Sequence, residues 1–266
     1  MKLLASDFDK TLLRNGVVTQ EDLTAIHNFR QKGHLFGIIT GRSISMITTD
    51  LEVLKVPYDF LVCNNGGILC DGNLSIINRH DIPFEFVAEM IQRFTGKPIM
   101  LGVSDGDAFC SLQTQQVEKT ADFVSPMKTR RISREEILGA KKINSMIIRE
   151  VKETQTMALK EQLEAEYEGL VSFHYNNGTL DINEKSVSKK QAIYELGEHF
   201  NTNELYVIGD GYNDLEMIQE FNGFAVDNAV EVVKEEARAV VASVAACIDI
   251  IENTWRSGNS PSLYDE

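Results

Sequence analysis

Met1-Lys2-Leu3-Leu4-Ala5-Ser6-Asp7-Phe8-Asp9-Lys10-Thr11 decides the fold. An apolar run that ends in small residues reads as a buried strand at the N-terminus. Residues two apart in a strand point the same way, so Asp7 and Asp9 are expected to leave its tip as neighbours if the extended geometry persists. Two carboxylates that close repel each other and shift each other's pKa. A cation between them removes the repulsion. Mg²⁺ suits such a place, because it takes one or two carboxylates and keeps room for water and phosphate.

Two later segments repeat the pattern. Leu35-Phe36-Gly37-Ile38-Ile39 runs into Thr40-Gly41-Arg42, and Leu205-Tyr206-Val207-Ile208 runs into Gly209-Asp210-Gly211-Tyr212-Asn213-Asp214. Between them the chain reads as strand, helix, strand, helix, strand. Thr19 caps a first helix that ends at Lys32-Gly33, a second runs from about Ser43 to Leu54, and Phe60–Cys63 forms a third buried strand. That order implies a parallel sheet with right-handed crossovers. Such sheets bind ligands beyond the carboxyl ends of their strands, where residues 7–11, 40–42, 64–67 and 209–214 all fall.

The pattern changes near residue 78. Pro83 precedes a helix over Phe84–Phe94, Ser104-Asp105-Gly106-Asp107 separates two strand-like runs, and Asn176-Asn177-Gly178 forms the turn of a second hairpin. The alternating pattern resumes at a helix from about Ser188. The chain is therefore expected to be α/β, a Rossmann-like doubly wound parallel sheet core over 1–81 and 185–266. An α+β domain is inserted over 82–184. The tail from Arg256 is expected to fray.

Composition narrows the function. The chain has 266 residues, 26 Lys and Arg against 40 Asp and Glu, and a formal charge of −14. That balance disfavours non-specific binding to nucleic acid or to an anionic membrane. An anionic substrate would need local compensation by a metal, a lysine or backbone amides. The four cysteines, at 63, 70, 110 and 247, make no metal-ligand spacing and are expected to be reduced packing thiols of a cytoplasmic protein. No apolar run approaches membrane-spanning length, and Asp7 and Asp9 interrupt any signal-like start. Oligomeric state is not legible.

With these motifs the chain resembles the haloacid dehalogenase-like (HAD) superfamily of phosphotransferases, and within it a Cof-type sugar-phosphate phosphatase. The resemblance covers about 1–80 and 185–250. It implies Asp7 as nucleophile and Asp9 as general acid and base. Mg²⁺ would be held by Asp7, the Asp9 backbone carbonyl and Asp210, with Asp214 accepting from metal-bound water or from Lys189. Thr40, Gly41, Lys189, Asn213 and Asn228 would hold phosphate. Among Lys185, Lys189 and Lys190, Val187-Ser188-Lys189-Lys190 fits the family pattern with Lys189 in place. A lysine at a helix start opposes the helix dipole, which favours a functional reason for it. Three departures stand out: Lys10 where Cof-type members carry Gly, Lys190 where a Gly usually follows the family lysine, and Asp227 where the family's Gly-Asn-Ala turn has Gly. The insert is then a lid, with His174, Tyr175 and Asp107 as polar examples better read as plain surface.

The implied activity is Mg²⁺-dependent hydrolysis of small phosphate monoesters, sugar phosphates or related metabolites, through an aspartyl-phosphate. A phosphomutase with the same motifs is the alternative. A receiver-like module phosphorylated without turnover is a third, and Asp9 argues against it, since a passive acceptor needs no acid or base two residues on.

Overall fold

The structure, a computed structural model, describes residues 1–112, 130, 132–150, 153–176 and 178–253. Expectations for Asn177 and for the tail from Arg256 lie outside the described residues.

The chain order is β1 (Lys2–Ser6), α1 (Gln20–Gln31), β2 (Leu35–Ile39), α2 (Ile44–Leu54), β3 (Phe60–Cys63), β4 (Ile68–Asp71), β5 (Ile76–Arg79), α3 (Phe84–Phe94), β6 (Ile99–Ser104) and β7 (Phe109–Ser111). It continues with α4 (Arg134–Ala140), β8 (Ser145–Glu150), α5 (Glu153–Glu166), β9 (Val171–Asn176), β10 (Thr179–Glu184), α6 (Lys189–His199) and β11 (Glu204–Gly209). The last elements are α7 (Leu215–Glu220), β12 (Asn222–Val226), α8 (Glu231–Glu236), β13 (Ala239–Val241) and α9 (Val244–Asn253).

Two sheets result. The larger has the order β13-β12-β11-β1-β2-β3-β4-β5 and is parallel from β13 to β3. Its central strand β1 is buried along its whole length, as its unbroken apolar run requires. Pairing reverses side at β1, with β11 on one flank and β2 on the other. This switch point opens a crevice at the strand ends. The smaller sheet, β7-β6-β8-β10-β9, is antiparallel throughout.

Each sheet has its own apolar cluster. One is drawn from residues up to Cys70 and from Ala192 onward, and the other from Ile82 to Ile182. The four cysteines are free and buried. Among the described residues no helix is long and apolar enough to cross a membrane.

Several features depart from the sequence reading. The large sheet ends in an antiparallel hairpin, β4 and β5, which the sequence reading passed over because each strand is only four residues long. Helix α4 was also missed, although Ser133 and Glu136 form a reciprocal capping box at its start. At the start of α1 the Thr19 hydroxyl accepts from the Asp22 amide at 3.1 Å and donates to Asp22 Oδ2 at 2.6 Å, while Asp22 Oδ1 accepts from the amide of Ala245 at 2.8 Å, tying α1 to α9. Helix α7 is preceded by a 3₁₀ turn, Tyr212–Asp214, for a reason that belongs to the site.

Candidate active site

The crevice is built from strand ends. Asp7 adds one residue to the β1–β11 ladder, its amide donating to the Ile208 carbonyl at 2.9 Å. Asp210 directly follows β11 and so emerges beside it. Asp214 lies one short turn further on. Its Oδ2 accepts from the backbone amides of Asp210 at 3.0 Å and Gly211 at 2.9 Å, which winds residues 212–214 into the 3₁₀ turn. One oxygen each from Asp7, Asp210 and Asp214 lies within 4.8 Å of the others.

Lys189 enters from the start of α6. Its ammonium is 1% exposed and donates to Asp7 Oδ1 at 2.7 Å and to Asp214 Oδ1 at 2.6 Å. Ser188 caps the helix by accepting from the Gln191 amide at 3.1 Å, which fixes where Lys189 begins. Lys185 is exposed, and Lys190 pairs loosely with Glu216, at 3.8 Å.

The electrostatics of this group are unbalanced. Burial pushes the Asp7 carboxyl well above the usual carboxylate range; Lys189 opposes that shift, and the charges of Asp214 and Asp210 add to it. Burial also raises Asp210, with further help from Asp214. Three carboxylates against one ammonium leave a surplus of two negative charges. The partners are unevenly shared as well. Asp214 spends both oxygens on Lys189 and on two amides, and Asp210 Oδ1 accepts from the Thr11 hydroxyl at 3.0 Å. Asp7 Oδ2 and Asp210 Oδ2 have no hydrogen-bond partner among the described residues. Two free hard oxygens with two surplus charges fit a divalent cation such as Mg²⁺. Adding MgCl₂ at about a hundred times its Kd is expected to stabilise the fold by about 2.7 kcal/mol. Differential scanning fluorimetry would then show the midpoint rising by several degrees, and Asp210→Asn would remove the rise. Equal midpoints in MgCl₂ and in KCl of matched ionic strength would count against the fit.

Asp9 stands elsewhere. The chain stops being extended after Asp7, because the Phe8 carbonyl accepts from the amides of Leu12 and Leu13 and so closes a turn. The Asp9 carboxylate is half-exposed and takes a forked pair from Arg42, Nε to Oδ2 at 2.7 Å and Nη2 to Oδ1 at 2.5 Å. It is not one of the three clustered acids. Arg42 also binds Asp50 and lies over the Phe8 ring at 4.9 Å. The sequence reading gave Arg42 no role; its position directly after Thr40-Gly41 was the available signal. Thr11 was missed in the same way, two residues past Asp9.

The remaining candidates surround the crevice. Thr40 follows β2 and is buried, with its hydroxyl accepting from the Arg42 amide at 3.2 Å, which leaves the hydroxyl proton to donate. A Cβ on Gly41 would come within 3.2 Å of the Asn65 amide oxygen, so that position favours glycine. Asn65 is left-handed at φ +58°, and its Oδ1 accepts from Asn213 at 3.3 Å. Asn228 is exposed and donates to the Lys10 carbonyl at 2.8 Å. Lys10 is itself left-handed at φ +64°, the conformation in which glycine is at no disadvantage. Asp227 pairs with Arg14 at 3.1 Å, and Asp107 with Arg130 at 2.8 Å.

The family model described as haloacid dehalogenase-like hydrolase matches residues 4–246. A 5-amino-6-(5-phospho-D-ribitylamino)uracil phosphatase of Bacillus subtilis is 25% identical over 271 aligned residues, covering 91% of this chain and 93% of the relative. A HAD/COF-like hydrolase from Plasmodium vivax shares the fold at a TM-score of 0.79 with 24% identity, over 96% of each chain. A phosphatase of the haloalkanoate enzyme superfamily from Bacteroides thetaiotaomicron does so at 0.79 with 22% identity, over 95% of this chain and 94% of the other.

Proposed function

The chain belongs to the haloacid dehalogenase-like hydrolase family and has the fold of its Cof-type members, and on that premise we propose that it is a Mg²⁺-dependent phosphatase of small phosphate monoesters. The observation that carries the proposal is the position of Asp7. It sits at the tip of the central strand, held through one oxygen by a buried lysine, with the other oxygen unpartnered among the described residues. A phosphatase among the curated relatives supports the same class of reaction.

In this scheme the Asp7 carboxylate attacks phosphorus as the ester P–O bond breaks. Asp9, released from Arg42 in its protonated form, gives its proton to the leaving alkoxide. Asp9 then takes a proton from water as that water attacks the aspartyl-phosphate. The bond between Asp7 and phosphorus breaks, freeing inorganic phosphate and restoring the carboxylate. Lys189 holds Asp7 in one orientation through both steps, and Asp214 holds Lys189. Thr40 and the Gly41 amide donate to the phosphoryl oxygens, at strand ends where anions are accommodated. Asp7 and Asp210 would hold Mg²⁺, which supplies Lewis-acid polarisation of the phosphoryl group and offsets the surplus negative charge. The smaller sheet with α3–α5, over 82–184, serves as a lid that excludes water and selects the leaving group. The substrate is a small phosphorylated metabolite, and sugar phosphates are the class most in keeping with the family.

Turnover of p-nitrophenyl phosphate with MgCl₂ tests this reading. Stable labelling by acetyl phosphate without turnover would instead support a passive phospho-acceptor. The role of Asp9 has its own test. Asp9→Asn is expected to lower turnover of an alkyl ester such as glucose 6-phosphate by about a hundredfold or more. The loss with p-nitrophenyl phosphate should be much smaller in the first step, since nitrophenolate leaves without a proton. Equal rates for wild type and variant on both esters would return Asp9 to a purely structural pairing with Arg42.

A further inference from the structure

The smaller sheet has one buried face and one face turned to the crevice. Leu101, Val103, Met146, Ile148, Leu180 and Ile182 lie in the second apolar cluster. Side chains alternate along a strand, so the residues between them point the other way. Two of these touch the loops at the strand ends. Asn183 Nδ2 donates to the carbonyls of Asn64 at 3.1 Å and Asn144 at 3.3 Å, and Asp181 Oδ2 accepts from Asn65 Nδ2 at 3.2 Å. The opposite end of the face is anchored as well. The Ile44 amide at the start of α2 donates to the Gly106 carbonyl at 3.0 Å, and Ser45 Oγ to the Asp107 carbonyl at 2.5 Å. The face therefore lies over the crevice.

The strand registers run a single row across that face. His174 pairs with Asp181, Asp181 with Ile147, and Ile147 with Gly102, while Phe109 on the edge strand lays its ring on Gly102. A Cβ on Gly102 would stand 2.2 Å from Phe109 Cζ and 3.1 Å from Ile147 Cγ1, so only glycine leaves room for the ring against the backbone there. His174, Asp181, Ile147 and Phe109 are all half-buried. The row thus passes from polar groups beside Asn65 to an apolar surface at the edge, made by Ile147 and the Phe109 ring across Gly102. Two strand spacings separate Asp181 from Gly102, about 10 Å. A phosphorylated sugar or alditol, anchored by its phosphate beside Gly41 and Asn65, spans a distance of that order.

We propose that Phe109 and Ile147 are specificity-determining residues: across Gly102 they form a shelf for a planar heteroaromatic ring carried on the sugar of the phosphate ester. The inference rests on the phosphatase reading and narrows it to ring-bearing sugar phosphates. Stacking of a base on an aromatic side chain is strong enough to give a preference of about tenfold or more.

The test compares two esters that differ in the ring alone, ribose 5-phosphate and uridine 5′-monophosphate, on wild type, Phe109→Ala and Phe109→Leu. Wild type should prefer the uridine ester by about tenfold or more in kcat/KM. Both variants should lose most of that preference while hydrolysing ribose 5-phosphate at nearly the wild-type rate. Phe109→Leu keeps apolar volume without a plane, so it answers the question even if the alanine variant folds poorly. No preference in wild type, or equal losses on both esters in the leucine variant, would overturn the shelf. If wild type hydrolyses neither ester nor p-nitrophenyl phosphate, the phosphatase reading has failed. The shelf is then decided by saturation transfer to the uracil protons of uridine 5′-monophosphate: transfer in wild type that is lost in Phe109→Leu supports it, and unchanged or absent transfer removes it.

Discussion

Asp7→Asn is expected to abolish turnover, by about 10⁴-fold or more, while leaving the fold intact. The loss is large because the proposed reaction has no second nucleophile in reach of the phosphoryl position. Asp210 has one oxygen engaged by Thr11 and the other assigned to Mg²⁺ in the proposed scheme, and Asp214 is held by Lys189 and two backbone amides. Asparagine keeps the size of the side chain and its carbonyl can still accept from Lys189, so packing around β1 should survive. Its amide is a poor nucleophile. The substitution also removes one of three crowded negative charges, so the variant should be no less stable than wild type. Circular dichroism and thermal midpoints would establish the fold, and steady-state assays with p-nitrophenyl phosphate the loss. Activity within tenfold of wild type would remove Asp7 as nucleophile.

Lys189→Met should act on stability and activity together. The ammonium is the common partner of Asp7 and Asp214, and removing it leaves two buried carboxylates without their cation. Breaking a buried pair in this way typically costs about 3–5 kcal/mol. Methionine is close in length and apolar, so loss of packing contributes little. The defect should depend on pH, and its sign follows from Asp7. Burial raises the folded pKa of Asp7 above its unfolded value. A group of that kind contributes stability at low pH, and the contribution is lost as pH rises through the folded pKa. Without Lys189 the one opposing influence is gone, so the variant should be closest to wild type at acidic pH and fall further below it as pH rises. Urea melts across a pH series would show it. A destabilisation that is constant with pH would mean that Lys189 acts by packing alone. Activity should fall as well, since Asp7 would no longer be held in one orientation.

Much of the core was legible because it depends on local pattern. Phe60–Cys63 and Phe84–Phe94 end where their apolar runs and Pro83 say they should. The strand-end rule brought Asp7, Thr40 and Asp210 to one crevice before any contact was known. Lys189 was separable from Lys185 and Lys190 by its place in the family pattern Val187-Ser188-Lys189-Lys190; the helix start alone does not choose between Lys189 and Lys190, which both lie in its first turn. What stayed hidden depends on contacts far apart in the chain. The turn after Phe8 that sends Asp9 to Arg42 is set by Leu12 and Leu13, and no spacing rule reports it. The buried amides Asn64, Asn144 and Asn183 link the two sheets across up to 119 positions of sequence, and each alone reads as a polar turn residue. Phe109 was invisible for a further reason: its ring is placed by the absence of a side chain at Gly102, which acquires meaning only when the strands pair.

The most direct test of the central claim is to quench wild-type enzyme with acid during the first turnover of p-nitrophenyl phosphate, then locate the phosphoryl group by peptide mass spectrometry. The account predicts acid-stable, base-labile phosphate on the peptide that contains Asp7, and none in Asp7→Asn. Phosphate on a different residue, or full turnover with every peptide unmodified under conditions that trap acyl phosphates, would contradict it.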